Sequence, residues 1–68
     1  MKKPIYFITM DEAFEIVKRW EINKNVNRHL FIAMENEKIC AIDNTSGECY
    51  AEDFITLEEA VKWLFDEQ

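Results

Sequence analysis

The sequence predicts an α+β domain of two layers, with two helices packed against a three-stranded antiparallel sheet in the order α-β-β-β-α. Two segments with helical spacing of apolar residues each follow a capping signal. Three short β-prone segments lie between them and are separated by turn sequences. The chain has 68 residues, a length that suits one domain, so we expect all these elements to share one fold over residues 1–68.

The two helix starts are nearly the same sequence. Residues 7–13 read Phe-Ile-Thr-Met-Asp-Glu-Ala, and residues 54–60 read Phe-Ile-Thr-Leu-Glu-Glu-Ala. Thr9 and Thr56 are predicted N-caps, and a glutamate three residues after each threonine completes a capping box. Convergence on a good strand-to-helix junction accounts for the repeat, and a functional duplication is the alternative.

The helices are predicted at about residues 10–22 and 57–67, and both are amphipathic. A chain this short buries only about 60% of its unfolded surface, so we expect most of its nine aromatic side chains in the core. The residues expected to face the sheet are Met10, Ala13, Phe14 and Val17 in the first helix and Leu57, Ala60, Val61, Leu64 and Phe65 in the second.

The strands are predicted at residues 29–35, 38–43 and 48–54, joined by short polar turns. Gly47, the only glycine, is expected in a left-handed conformation in the second turn. The sequence does not decide whether residues 4–8 add a short N-terminal strand. The economical packing places both helices on one face of the sheet.

The other face of this sheet is also apolar, although a half-exposed antiparallel strand normally alternates with polar residues. Two helices of about 12 residues are not expected to cover both faces, so this face is predicted to meet another surface. A second copy across a twofold axis is the simplest candidate. The alternative is a monomer with one helix on each face. The predicted sheet-face interface is Phe31, Ala33, Cys40, Ile42 and Tyr50.

Charge is distributed unevenly along the chain. The net charge is −6, with +2 in residues 1–34 and −8 in residues 35–68. This balance argues against a partner bound mainly through nucleic-acid phosphates. The acidic half is either a solvated surface or a surface for a basic partner. The predicted acidic partner surface is Asp43, Glu48, Glu52, Asp53 and Glu58.

No catalytic residue, cofactor site or metal site is predicted. His29 is the only histidine and is interpreted as a strand-end residue. Cys40 and Cys49 flank the Gly47 turn, but the expected register places Cys40 opposite residue 51 or 52, so no disulfide is expected. The sequence has no targeting segment or membrane span, which predicts a cytoplasmic protein with reduced thiols and no membrane partner.

Two resemblances add to this interpretation. The α-β-β-β-α order resembles the double-stranded RNA-binding domain, but residues 56–60 carry carboxylates where that family has phosphate-binding lysines, so its function is not carried over. Residues 50–64, with an acidic strand end, a threonine cap and Glu-Glu-Ala before Trp-Leu, resemble short acidic proteins of phages, prophages and low-GC Gram-positive bacteria. Several of those proteins bind and block a host enzyme or a defence protein.

The expected function is therefore that of a small acidic, non-catalytic protein-binding module that self-associates through its sheet as a homodimer. The alternative is a phage-type inhibitor that blocks a host enzyme or defence protein, with its acidic surface imitating nucleic acid.

Overall fold

The computed structural model describes residues 4–66, which form an α+β fold of two helices and four strands. In chain order the elements are β1 (Ile5–Ile8), α1 (Met10–Ile22), β2 (Leu30–Glu35), β3 (Lys38–Asp43), β4 (Tyr50–Phe54) and α2 (Leu57–Asp66). Both helix starts agree with the prediction. The predicted end of the second helix, at residue 67, lies outside the described residues.

The sheet is mixed, with the strand order β1-β2-β3-β4. The pairs β2–β3 and β3–β4 are antiparallel as predicted, but β1 is a full fourth strand that runs parallel to β2. The prediction of a purely antiparallel three-stranded meander is therefore wrong. The reason is the connection: α1 crosses back over the sheet between β1 and β2, and a helical crossover of this kind joins parallel strands.

The two helices lie on opposite faces of the sheet, so the predicted two-layer packing is also wrong. Buried residues form two separate clusters, one under each helix. The α1 cluster consists of Ala13, Ile16, Phe31, Ala33 and Ile42. The α2 cluster consists of Leu30, Ile32, Ile39, Ala41, Ala60 and Leu64.

Strand β2 explains this three-layer arrangement. Residues 30–33 are all buried, and they point alternately to the two faces of the sheet. A strand that is apolar on both faces needs a cover on both faces. The chain supplies both covers itself, one from each helix, which is the alternative prediction of one helix on each face.

The two repeated helix starts use their caps slightly differently. In α1 the Glu12 amide donates to Thr9 Oγ1, and the Thr9 amide donates to Glu12 Oε1, each at 3.1 Å. In α2 the Glu59 amide donates to Thr56 Oγ1 at 3.2 Å, while the Thr56 hydroxyl donates to Glu59 Oε1 at 2.9 Å. Both threonines therefore satisfy an amide of the first helical turn, as predicted.

The repeat does not extend to packing. At the first site Ile8 packs on the α1 cluster while Phe7 is 60% exposed. At the second site Phe54 packs on the α2 cluster, with its ring centroid 5.7 Å from that of Trp63, while Ile55 is 85% exposed. Each helix covers the sheet face toward which the last residue of the preceding strand points. This shared geometry favours convergence on a strand-to-helix junction, and not a duplicated function, as the origin of the repeat.

The aromatic residues contribute less to the core than predicted. Of the nine, all within residues 4–66, only Phe31 is buried. On α1 the buried positions are Ala13 and Ile16, whereas Phe14, which was assigned to the core stripe, is exposed. On α2, Leu57 was assigned to the core but is also exposed.

The segment between α1 and β2 is tied to the loop between β3 and β4. The Asn44 side-chain amide donates to the carbonyls of Val26 and Asn27, at 3.1 and 2.9 Å. The Asn44 backbone amide donates to the His29 carbonyl at 3.0 Å. Gly47 has a φ of +85°, which confirms the predicted left-handed conformation.

Candidate protein-binding groove

An apolar groove of about 500 Å³ lies between α1 and β4. It exists because α1 packs against β2 and covers Ile42 of β3, which leaves the β4 side of the same sheet face without a helix. The residues that define it, called the α1–β4 groove from here on, are Met10, Phe14 and Val17 in its wall and Cys40, Ile42 and Ala51 in its floor.

Phe14 is the largest exposed apolar side chain of this groove, with 64% of its surface accessible. It follows the buried Ala13, and one residue turns the helix by about 100°. The side chain therefore stands at the flank of the helix, beside the groove. Lys18, one turn later, also lines the groove and places a positive charge at its α1 side.

The sheet register assembles the floor. Ile42 pairs with Ala51, and Cys40 pairs with Asp53, so the side chains of all four point to the α1 face. Ala51 is small and exposed, which leaves the groove open toward the edge of the sheet. The floor and wall together resemble the apolar centre of a protein interface.

The two thiols near the floor are neutral at physiological pH. Burial, followed by the charge and hydrogen bond of Asp53, raises the pKa of Cys40 to about 11. Burial also raises the pKa of Cys49, and the charge of Lys24 opposes that shift. Cys40 and Cys49 are both free thiols. The expected register was wrong, because Cys40 pairs with Asp53 and not with residue 51 or 52.

The outer border of the groove is the acidic strand β4, which lies at the edge of the sheet. Asp53 points to the α1 face, and Glu52 points to the α2 face. Glu48 lies two residues before this strand and Glu58 lies in the first turn of α2, and all four carboxylates are exposed. Asp43 is different: it is buried, and its Oδ1 accepts from the amide and the hydroxyl of Thr45. It is not part of an exposed acidic surface, contrary to the prediction.

The predicted sheet-face interface is largely enclosed within one copy of the chain. Phe31 is 6% exposed and Ile42 is 1% exposed, and Ala33 is fully buried with them under α1. The prediction that this face has no cover is therefore wrong. Cys40 remains half-buried in the floor of the groove.

Tyr50, the last member of the predicted face, is exposed but lies on the other side of the sheet. It pairs with Asp43, on the face that carries the α2 cluster. The segment from residue 44 to 49 is longer than the predicted turn, which shifts β4 relative to β3. The Tyr50 hydroxyl donates a hydrogen bond to Glu48 Oε2 at 3.1 Å.

Sequence reasoning missed the groove wall and Ala51. The predicted sheet-facing stripe of α1 includes Met10, Phe14 and Val17. These residues lie on the correct side of the helix, but they line the groove, and the residues buried against the sheet are Ala13 and Ile16. The available signal was Ile16: a helix that buries Ile16 and Ala13 turns Phe14 toward its flank.

A second cavity, of about 480 Å³, lies on the other side of α1, above β1. His29 is exposed there, and its ring lies edge-on to Tyr6 and Phe31, with centroid distances of 5.1 and 6.1 Å. Glu12, Glu15 and Arg19 also line this cavity. Within residues 4–66 no three His, Cys, Asp or Glu side chains lie together as a metal site would require.

Comparison of the chain with family models, with curated proteins and with solved structures finds no match in any of the three. In the described part of the chain, neither helix is long and apolar enough to cross a bilayer. The resemblance of residues 50–64 to small acidic phage proteins stays a prediction. The groove and its acidic border are therefore the features of this molecule that indicate a function.

Proposed function

We propose that this protein is a small acidic, non-catalytic protein-binding module and that the α1–β4 groove is its binding surface. One observation carries the proposal: an apolar groove, walled by the exposed Phe14, opens beside an acidic edge strand. Exposed aromatic side chains next to small apolar depressions are typical of the centres of protein interfaces.

The lining of the groove favours a protein over a small polar ligand. Small-molecule sites usually combine an apolar enclosure with several converging polar groups. Here the wall and floor are carbon-rich apart from the neutral thiol of Cys40, and the charged groups, Lys18 and Asp53, stand at the two borders. A partner with an apolar centre and a charged periphery matches this arrangement.

Phe31 and Ile42 are covered by α1, so they are not available as a surface for self-association. A homodimer could still form if Phe14 of each copy entered the groove of the other. The carboxylates of β4 would then approach those of the second copy, and like charges in such an interface are unfavourable. We therefore favour a different protein as the partner.

Affinity capture with matched variants tests the proposal. Phe14→Glu places a charge in the groove, while Phe7→Glu places the same charge at an equally exposed phenylalanine on the opposite face. We expect a captured protein to be lost with Phe14→Glu and retained with Phe7→Glu. Equal capture by both variants would show that the groove is not the binding surface. Sedimentation of the protein alone, over a concentration series, identifies a homodimer if one forms.

A second candidate is the phage-type inhibitor that blocks a host enzyme or defence protein through an acidic surface. It is favoured by the exposure of Glu48, Glu52, Asp53 and Glu58, in a stretch with no Lys or Arg between residues 38 and 62. Changing these four residues to Lys should abolish capture of a basic partner, and binding by the unchanged protein should weaken as salt rises. Capture that survives the four changes would exclude this mechanism.

A further inference from the structure

We infer that the partner contributes an extended segment that adds to the outer edge of β4, at residues 51–53, as a fifth strand, with one large apolar residue next to two basic residues. This inference rests on the proposed function, since it names the chemistry of the partner at the same site. Three features support it: the edge position of β4, the pattern of its side chains, and the charge around it.

The backbone of β4 provides the framework. β4 is five residues long and pairs with β3 on one side, while the strand order places its other side at the sheet edge. Edge strands present amide and carbonyl groups that an extended peptide can pair with. Residues 51–53, at the middle of the strand, are all exposed.

The side chains of these three residues define what the added strand must carry. A fifth strand would lie about 4.8 Å from β4, with its side chains beside those of the residues they oppose. Opposite the small Ala51, a large apolar side chain would lean over the mouth of the α1–β4 groove. Opposite Glu52 on one face and Asp53 on the other, lysine or arginine would form cross-strand ion pairs.

Charge favours this partner over a second copy of the chain. Pairing β4 with its own equivalent would bring Glu52 and Asp53 close to carboxylates of the other copy, a device that natural edge strands use to prevent self-pairing. β4 contains no lysine or arginine, and the nearest basic residues in sequence are Lys38 and Lys62. A basic segment removes the repulsion and gains attraction from both faces.

Synthetic peptides test the inference directly. The probes are two seven-residue peptides in a threonine background, one with the central order Phe-Lys-Lys and one with Lys-Lys-Phe, for the two strand directions. We expect one of them to bind and to slow amide hydrogen exchange at residues 51–53. Replacing its lysines with glutamate, or moving its phenylalanine away from the lysine pair, should weaken binding by about tenfold or more.

A charge-reversed protein provides the matched control. Both carboxylates are exposed, so the double variant Glu52→Lys/Asp53→Lys is expected to keep the fold, which the amide spectrum reports. It should lose the lysine peptide and gain the glutamate peptide. This exchange of preference requires the carboxylates of β4 and does not follow from the net charge alone.

Three results would overturn the inference. Equal binding of all the peptides would indicate non-specific charge attraction. Spectral changes at Phe14 and Val17, without slower exchange in β4, would indicate an occupant of the groove that is not a strand, and would leave the proposed function intact. Slow exchange in β4 of the free protein, lost on dilution, would indicate a second copy. Failure of the proposed function is detected separately, by partner capture that Phe14→Glu does not change.

Discussion

The indole Nε1–H of Trp20 donates a hydrogen bond of 2.6 Å to the carbonyl of Gly47. This bond joins the last turns of α1 to the loop between β3 and β4. On the same ring, Lys24 Nζ lies 3.4 Å from the ring centroid, a cation–π contact. The position of α1 on the sheet, and with it the wall of the α1–β4 groove, therefore depends on a contact at the opposite end of the helix from its cap.

Replacing Trp20 with phenylalanine tests this contact. Trp20→Phe keeps an aromatic ring but removes the donor, so the free energy of unfolding should fall by about 1 kcal/mol or more. Urea unfolding followed by circular dichroism measures the change. An unchanged midpoint would show that the Gly47 carbonyl does not depend on the indole for its hydrogen bond.

Any side chain at Gly47 should destabilise the fold. Its φ is +85°, and an added Cβ would lie 3.2 Å from the carbonyl oxygen of Lys24. Gly47→Ala should therefore destabilise the fold by about 1–2 kcal/mol. Ser46→Ala, at the exposed neighbouring position, is the control and should change stability by less than about 0.5 kcal/mol. Equal effects of the two variants would contradict the backbone argument.

Asn44 should be one of the most sensitive polar positions. Its side-chain amide donates to two backbone carbonyls, and the residue is fully buried. Asn44→Asp would replace both donated hydrogen bonds with a carboxylate facing carbonyl oxygens, so we expect a loss of at least about 2 kcal/mol. Lower pH should reduce the loss, because protonation returns one donor to the new carboxyl.

The matched control for this change is Asn25→Asp. Asn25 lies in the α1–β2 segment to which Asn44 is hydrogen-bonded, but Asn25 itself is exposed. It should show almost no effect in the same urea titration. A comparable loss at both positions would mean that the added negative charge, and not the lost hydrogen bonds, causes the destabilisation.

The Cys40 thiol predicts a pH dependence of stability at alkaline pH. Its pKa is about 11 in the folded protein, against an ordinary value of 9.0. Below pH 9 the thiol is protonated in both the folded and the unfolded protein, so its contribution to the free energy of unfolding is fully present. Between pH 9 and 11 the unfolded chain loses the thiol proton first, so the free energy of unfolding falls as the pH rises. Cys40→Ser should remove this part of the alkaline slope, with the other titrating groups cancelling in the difference.

The role of Asp53 in that shift can be measured separately. In a Cys49→Ser background, Asp53→Asn should lower the pKa of Cys40, because it removes the negative charge and the hydrogen bond to the thiol. Alkylation of Cys40 by iodoacetamide at pH 9 should then be faster, since the thiolate is the nucleophile. Equal alkylation rates would leave burial as the sole cause of the shift.

The sequence predicted the elements well, for local reasons. Thr9 and Thr56 mark helix starts through side chains that reach amides only three residues away. Gly47 marks the β3–β4 loop because glycine by itself favours the left-handed conformation that this loop requires. The strands β2 and β3 were also located almost to the residue, since short β-prone segments between turn residues have few other conformations that bury them.

What the sequence did not determine was how these elements pack. The apolar character of residues 30–33 required a cover on both faces of β2, but periodicity alone does not say whether a helix of the same chain or a partner supplies it. The exposure of Phe14 depends on how α1 is rotated about its own axis, because one residue corresponds to about 100°. The contacts of Ala13 and Ile16 with the sheet set that rotation. The α1–β4 groove follows from that rotation and from the placement of α1 over β2.

The enclosure of β2 between two helices also bears on how this protein can evolve. The side chains from Leu30 to Ala33 are all buried in the two apolar clusters, so this strand tolerates substitution only among apolar residues of similar size. Ala51, Glu52 and Asp53, two strands away, contribute little to the interior and can vary almost freely. New recognition properties can therefore arise at the border of this molecule by single substitutions, while the middle strand keeps the architecture unchanged.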